Sequence, residues 1–267
     1  MRILRRILVG LLVLVLTAGL ALAATVAWDR AQTAGTVASL SNVSFQSASG
    51  PSVLAYEATP TGPGPHPAVV MIHEFWGLRS DITGKADALA ELGYHVVAPD
   101  TFRGVSVRTV PAAIWNVIAT PREQINADLA TVMTALQADP RVDPDRIAVM
   151  GFCYGGGAAL AFSLQDDRPA ATGVFYGTLE TDPARLAALP GPVLGIFGEE
   201  DAQIAVAEVD AFEAGLAQAG VPHEITVYPG VGHAFVGGMD EIAAGGPPQA
   251  AWNQFVAWLE GALQAGP

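Results

Sequence analysis

Apolar and polar positions follow two rhythms along this chain. Ala68 to Ile72, His95 to Ala98, Ile147 to Met150, Thr172 to Tyr176, Val193 to Phe197 and Glu224 to Tyr228 are short runs with the length and β-branched content of strands. Between them apolar residues recur every three or four positions, which predicts helices. Ile82, Ala86, Leu89 and Leu92 mark one such face up to Gly93, and Ile125, Leu129, Val132 and Leu136 mark the next. A third helix is predicted over about Val206 to Ala219, and a fourth over Pro248 to Leu263, with Trp252, Phe255, Val256 and Leu259 on one face. Thr120-Pro-Arg-Glu123 has the arrangement of a capping box with proline at the first helical position. Ser39 to Gln46 and Ser52 to Thr59 alternate weakly around Ser47-Ala-Ser-Gly-Pro51, which predicts an N-terminal β-hairpin. Strands and helices therefore alternate through most of the chain. This implies an α/β fold with a mainly parallel central sheet and helices on both faces, in which chemistry gathers at the C-terminal ends of the strands.

The first residues break this pattern. Met1 to Arg6 carries three arginines, and Ile7 to Trp28 runs 22 residues without a charge. Residues 1–28 read as a secretory signal peptide, with Ala21-Leu-Ala23 as a small-x-small cleavage site, or as an uncleaved membrane anchor with its basic end in the cytoplasm. Either way the domain is expected to be exported, to the periplasm or exterior or to the outer face of the cytoplasmic membrane. Residues 29–38 read as a polar linker, and residues 39–267 as the folded domain. Cleavage after Ala23 would remove three arginines and no acids, leaving 10 basic against 26 acidic residues and a net charge of −16. That balance argues against nucleic acid or an anionic membrane as a partner, and a membrane is expected only through the N-terminal segment, if it is uncleaved.

Candidate chemistry centres on the single cysteine, Cys153. Gly151-Phe-Cys153-Tyr-Gly155 joins an apolar strand to an alanine-rich helix, as in a nucleophile elbow with sulfur in place of the usual serine oxygen. Small residues two before and two after the nucleophile permit the tight turn, and a helix N-terminus aimed at sulfur favours the thiolate. A buried packing role is the alternative for a free cysteine, but packing alone does not require the flanking glycines. Of the five histidines, His66, His95 and His223 read as structural or surface residues, and His73 ends a strand within a possible site loop. His233 follows the last strand, where the order nucleophile, acid, histidine requires the base. Glu199, Glu200 and Asp201 are the candidate acids. Backbone N–H groups of Tyr154 and Phe75 are the expected oxyanion donors. No set of His, Cys and carboxylates has metal-ligand spacing, Gly155-Gly-Gly157 lacks the order of a nucleotide loop, and no cofactor is expected.

Taken together, His73-Glu-Phe-Trp-Gly77, Ala98-Pro-Asp-x-Phe-Arg103, Gly151-Phe-Cys-Tyr-Gly-Gly156, Gly198-x-x-Asp201 and Gly232-His-Ala-Phe235 resemble the dienelactone hydrolase family of the α/β-hydrolase fold. The resemblance extends from Val43 to Leu263. It implies a Cys153, His233, Asp201 triad and a small-molecule ester or lactone substrate. Glu74 is implied to contact the thiol in the resting enzyme and to take its proton when substrate binds. Arg103 matches one of two arginines that hold the substrate carboxylate in the family's namesake enzymes, and Trp76 is expected in the pocket wall. After His233 the chain reads Ala-Phe-Val-Gly-Gly238, with no second arginine. That departure argues against dienelactone itself as substrate, and Arg79 and Arg108 are the candidate replacements. A broad carboxylesterase or thioesterase is the alternative among enzymes. A non-catalytic exported module binding a hydrophobic ligand through Phe75 and Trp76 is the alternative outside them. The sequence leaves the oligomeric state open.

Overall fold

The computed structural model describes residues 2–47 and 50–264. Ala48 and Ser49, in the predicted hairpin turn, and residues 265–267 of the predicted domain lie outside them. Eight strands form one sheet: β1 (Val43–Phe45), β2 (Val53–Ala58), β3 (His66–Ile72), β4 (His95–Pro99), β5 (Val142–Phe152), β6 (Ala171–Phe175), β7 (Val193–Gly198) and β8 (His223–Tyr228). Their order is β1-β2-β4-β3-β5-β6-β7-β8. β1 pairs with β2, and β2 with β4, antiparallel; every other pairing is parallel. The helices are α1 (Arg2–Gln32), α2 (Thr36–Leu40), α3 (Ser80–Glu91), α4 (Val110–Ala119), α5 (Arg122–Ala138), α6 (Tyr154–Ser163), α7 (Pro183–Leu186), α8 (Val206–Ala219), α9 (Met239–Ala243) and α10 (Gly246–Gln264).

Period-two alternation explains why central strands are apolar throughout. In β3, Val69 and Met71 enter one core with Leu89 of α3, Phe212 of α8 and Phe255 of α10. Ala68, Val70 and Ile72 enter the other with Leu129, Val132 and Leu136 of α5 and Phe162 of α6. Both faces of the sheet are covered, so neither face of the strand is polar.

Four local expectations are corrected. Leu92, expected on the buried face of its helix, is exposed beyond the end of α3, and Tyr94 is buried nearby instead. The capping box at Thr120 does not form: Pro121 is the N-cap of α5, and the Thr120 hydroxyl donates instead to Asn116 O at 2.8 Å, closing the end of α4. α4 itself is an additional helix, begun by Pro111 in its first turn. Residues 29–38 are not a linker. α1 continues to Gln32 and α2 follows, because the polar groups of this stretch have tertiary partners. The buried carboxylate of Asp29 accepts hydrogen bonds from the backbone N–H of Arg108 at 3.1 Å and of Thr109 at 2.7 Å, and from the Thr109 hydroxyl at 2.6 Å. Arg30 Nη2 donates to Asn116 Oδ1 at 2.7 Å, and the Thr33 hydroxyl donates to Ser106 O.

Candidate active site

The elbow between β5 and α6 is closed by contacts only glycine permits. A Cβ on Gly151 would sit 2.3 Å from Gly155 C, and one on Gly155 would sit 2.3 Å from Ile72 O and 2.6 Å from His73 O. The absent side chains let the first turn of α6 lie directly over the end of β3. Cys153 is left with a positive φ of 54° and ψ of −116°, outside the usual wells, with its N–H bonded to Phe175 O at 2.9 Å. Tyr176 and Ala234, beside it in space or following the candidate base, also have positive φ, at 39° and 57°.

The loops after β5, β7 and β8 bring three predicted residues into line. Cys153 Sγ lies 3.0 Å from His233 Nε2, and His233 Nδ1 lies 2.7 Å from Asp201 Oδ2. With Nδ1–H donating to the carboxylate, Nε2 is left to accept from the thiol. The other Asp201 oxygen accepts from the N–H of Gln203 at 2.7 Å and of Ile204 at 3.1 Å, which fixes the carboxylate. Tyr176 packs edge-on to the His233 ring at 5.3 Å. Neither Glu199 nor Glu200 takes the place of Asp201. Glu200 is exposed, and Glu199 accepts from the N–H of Gly230.

Burial first, then the nearby Glu74 and Asp201 carboxylates, push the Cys153 thiol up to about 11. The N–H groups of Tyr154 and Phe75 act in the opposite direction as hydrogen-bond donors to sulfur. Burial thus outweighs the helix N-terminus and favours a neutral thiol over the expected thiolate, with His233 beside it. Tyr154 directly follows Cys153 at the start of α6, and Phe75 lines the same cavity as Cys153.

Glu74 lies within electrostatic reach of sulfur, but no hydrogen bond joins the two among the described residues. The sulfur has turned to His233 instead. Burial, followed by repulsion from Asp81, raises the Glu74 carboxyl to about 7, opposed by Lys85 and Arg79. Lys85 is itself buried with its Nζ 4.5 Å from the centre of the Phe152 ring, and burial lowers its pKa. His73 is a neutral packing residue, its pKa lowered to about 4 by burial. Its Nδ1 donates to Glu74 O at 2.6 Å, and its Nε2 accepts from the N–H of Thr101 at 3.2 Å.

A cavity of about 660 Å³ opens over Cys153 and His233. Val110, Ile114, Val117 and Ile118 of α4 form one wall, and Ile125, Ala158, Ala161, Tyr176 and Ile204 complete its apolar lining. Arg122 is the only Lys or Arg among the lining residues. The two expected substrate-binding residues are elsewhere. Arg103 is drawn to the buried Asp128 carboxylate by two hydrogen bonds, Nη2 to Oδ1 at 2.9 Å and Nε to Oδ2 at 3.3 Å. Trp76 packs on Phe75 with ring centres 4.3 Å apart, beside the cluster of Val26, Val107, Ala112 and Ala113. Of the candidate replacements, Arg79 stacks over Trp76 at 5.9 Å, and neither it nor Arg108 lines the cavity. The α4 wall and Arg122 were missed in the sequence, although Val110 to Ala119 is a charge-free run entered through Val110-Pro111. A separate group, Glu57, His95 and Asp139, has ligand atoms within 4.8 Å of one another. Arg141 Nη2 lies between the two carboxylates, 3.0 Å from Glu57 and 2.6 Å from Asp139, so a cation already occupies that charge.

Comparisons with known proteins agree with this architecture. The chain is 29% identical over 219 residues to a protein of Methylorubrum extorquens provisionally named a carboxymethylenebutenolidase, covering 77% of this chain and 75% of that one. A protein of the same name from Escherichia coli K12 is 27% identical over 226 residues, covering 79% and 83%. A crystal structure from Klebsiella pneumoniae, provisionally titled a dienelactone hydrolase, superposes with a TM-score of 0.71 at 27% identity, over 81% of this chain and 98% of that one. The family model described as the dienelactone hydrolase family matches residues 53–263. This chain, an α/β-hydrolase by fold, belongs to the dienelactone hydrolase family.

Proposed function

We propose that the chain hydrolyses activated carboxylic esters or lactones through a thioester on Cys153. The observation that carries this reading is the line Sγ, Nε2, Nδ1, Oδ2, at 3.0 and 2.7 Å. As Sγ attacks the carbonyl carbon, its proton passes to His233 Nε2, and Asp201 stabilises the imidazolium. The N–H groups of Tyr154 and Phe75 hold the developing oxyanion. Collapse of the tetrahedral intermediate breaks the bond to the leaving oxygen, which takes the proton from His233. Water then gives a proton to His233 and attacks the thioester, and the carboxylic acid product departs as sulfur is reprotonated.

A thiolate leaves a tetrahedral intermediate more readily than an alkoxide does, so attack on ordinary alkyl esters reverts. Enol lactones, aryl esters and thioesters, whose leaving groups are stabilised anions, are the favoured substrates. The predominantly apolar cavity favours a broad acyl range over a single dicarboxylate, and Arg122 supplies one cationic contact for an acidic group. The basic residues before the apolar run of α1 support an orientation with the domain on the outer side of the membrane, by the bias of positive charge to the cytoplasmic side. The test is Cys153→Ala against p-nitrophenyl acetate, with mass spectrometry of a quenched wild-type reaction. Loss of hydrolysis and a Cys153 acyl adduct are expected; wild-type turnover by the variant would overturn the assignment.

A further inference from the structure

We propose that α1 and α4 seat the mouth of this cavity in the outer leaflet of a phospholipid bilayer, so that the enzyme takes amphiphilic esters from the lipid phase. The substrate half of this inference rests on the ester-hydrolase reading of the site; the membrane seat stands on separate observations.

The first is the length of α1. Its charge-free run from Ile7 to Trp28 rises about 33 Å, enough to cross a hydrocarbon core of roughly 30 Å. Large side chains along it, including Leu8, Leu12, Val15, Leu16 and Leu20, are half or more exposed.

The second is that α1 is locked to the domain. Val26 is buried against the cluster holding Val107 and Ala112. Asp29 binds the backbone N–H groups of Arg108 and Thr109 just before α4, and Arg30 binds Asn116 within it. The direction of α1 therefore fixes where α4 lies relative to any membrane that α1 crosses.

The third is depth. Trp115 of α4 shares a cleft of about 480 Å³ with Gly19, Leu22, Ala23, Val26 and Ala27, and with Arg30 at its end toward the domain. Leu22 and Gly19 precede Trp28 by an axial rise of about 9 and 13 Å. α4 thus lies level with the last turns of the apolar run, where the headgroups give way to acyl chains, and Trp28 and Trp115 are the residue type enriched at that boundary.

The fourth is the composition of α4. It carries no charged residue, and Val110, Ile114, Trp115 and Ile118 are 48–73% exposed. Val110, Ile114 and Ile118 also line the cavity over Cys153, so they form its rim. An apolar rim facing water is costly; the same rim facing lipid is satisfied. With 26 acidic residues against 13 basic, the contact is apolar, not electrostatic, and zwitterionic lipid suits it.

The experiment uses the full chain reconstituted in phosphatidylcholine vesicles. Brominated phosphatidylcholine is expected to quench the fluorescence contributed by Trp115, obtained as the difference between wild type and Trp115→Phe. In the same vesicles, Trp28→Glu with Trp115→Glu is expected to lower kcat/KM for p-nitrophenyl laurate about tenfold, by weakening the apolar seat. Hydrolysis of soluble p-nitrophenyl acetate is expected to stay within about twofold, as both are surface positions outside the cavity. If the double variant loses both activities, the quenching of the wild-type protein decides. An unquenched Trp115, or one shielded in a cross-linked dimer of the chain, would overturn the proposal. Quenching with no Cys153-dependent hydrolysis of either ester would instead refute the hydrolase reading, and with it the lipid-phase substrate.

Discussion

The floor and the wall of the cavity differ in almost every physical respect. The floor is the turn from β5 into α6, where Gly151 and Gly155 bring backbone within van der Waals contact of backbone and hold Cys153 at φ 54°. The wall is α4, whose Ile114 and Ile118 are half to three-quarters exposed and whose position depends on Asp29, some 80 residues earlier in the chain. One region is fixed by local geometry and tolerates no added atoms. The other is a surface helix held by tertiary hydrogen bonds. Their difference separates the bond-breaking chemistry from the choice of substrate.

That separation is tested most severely by removing His233, the proposed base. His233→Ala is expected to lower kcat/KM by about 1,000-fold or more on every ester, whatever its acyl chain. Stopped assays over a series of chain lengths would show a uniform loss; a loss confined to some substrates would place His233 in recognition instead. Next in size is Gly155→Ala, which forces backbone apart at the floor and is expected to cost about 1–3 kcal/mol in urea unfolding. Ile118→Ala at the wall is expected to change stability by about 0.5 kcal/mol or less, while shifting the preferred acyl length. Equal destabilisation by the two would erase the contrast. Arg122→Ala is expected to reduce kcat/KM for esters bearing a carboxylate about tenfold relative to neutral ones, through loss of a charge-assisted hydrogen bond. An unchanged ratio would leave Arg122 a surface residue.

The smallest effect concerns Glu74, behind the floor. Its carboxyl titrates near 7, and its negative charge pushes the Cys153 thiol up. Below that pH Glu74 is protonated and its opposition to the thiolate is gone; above it the charge is present and the thiol is harder to ionise. Alkylation by iodoacetamide in the wild type should therefore rise less steeply with pH as Glu74 ionises. In Glu74→Gln that flattening should vanish, with several-fold faster alkylation at pH 8. An identical profile would mean that Glu74 does not act on sulfur electrostatically.

The elbow was legible in the sequence because its geometry leaves few residue types for each position. Glycine on both sides of Cys153 is a backbone requirement written locally, and the strand ends bearing Asp201 and His233 follow from the alternation of strands and helices. Arg103 and Trp76 were not legible in the same way. Nothing near Arg103 announces that the buried Asp128, on α5, will take its guanidinium, and Trp76 goes to an apolar cluster that includes Val26 from α1. The polar stretch after Trp28 looked like a linker because Asp29, Arg30 and Thr33 find their partners only in three dimensions. Local rules marked the residues that meet at Cys153; long-range partners decided what surrounds them.

The neutral state of Cys153 bears on how long the protein lasts. Peroxides and disulfides attack thiolates far faster than thiols. With its pKa raised to about 11, the sulfur is overwhelmingly the neutral thiol at pH 7. No second cysteine is present to resolve an oxidised sulfur as an intrachain disulfide. The raised pKa that, in the proposed mechanism, would make Cys153 depend on His233 thus also slows its conversion to sulfenic acid, trading intrinsic nucleophilicity for a longer chemical lifetime wherever oxidants are present.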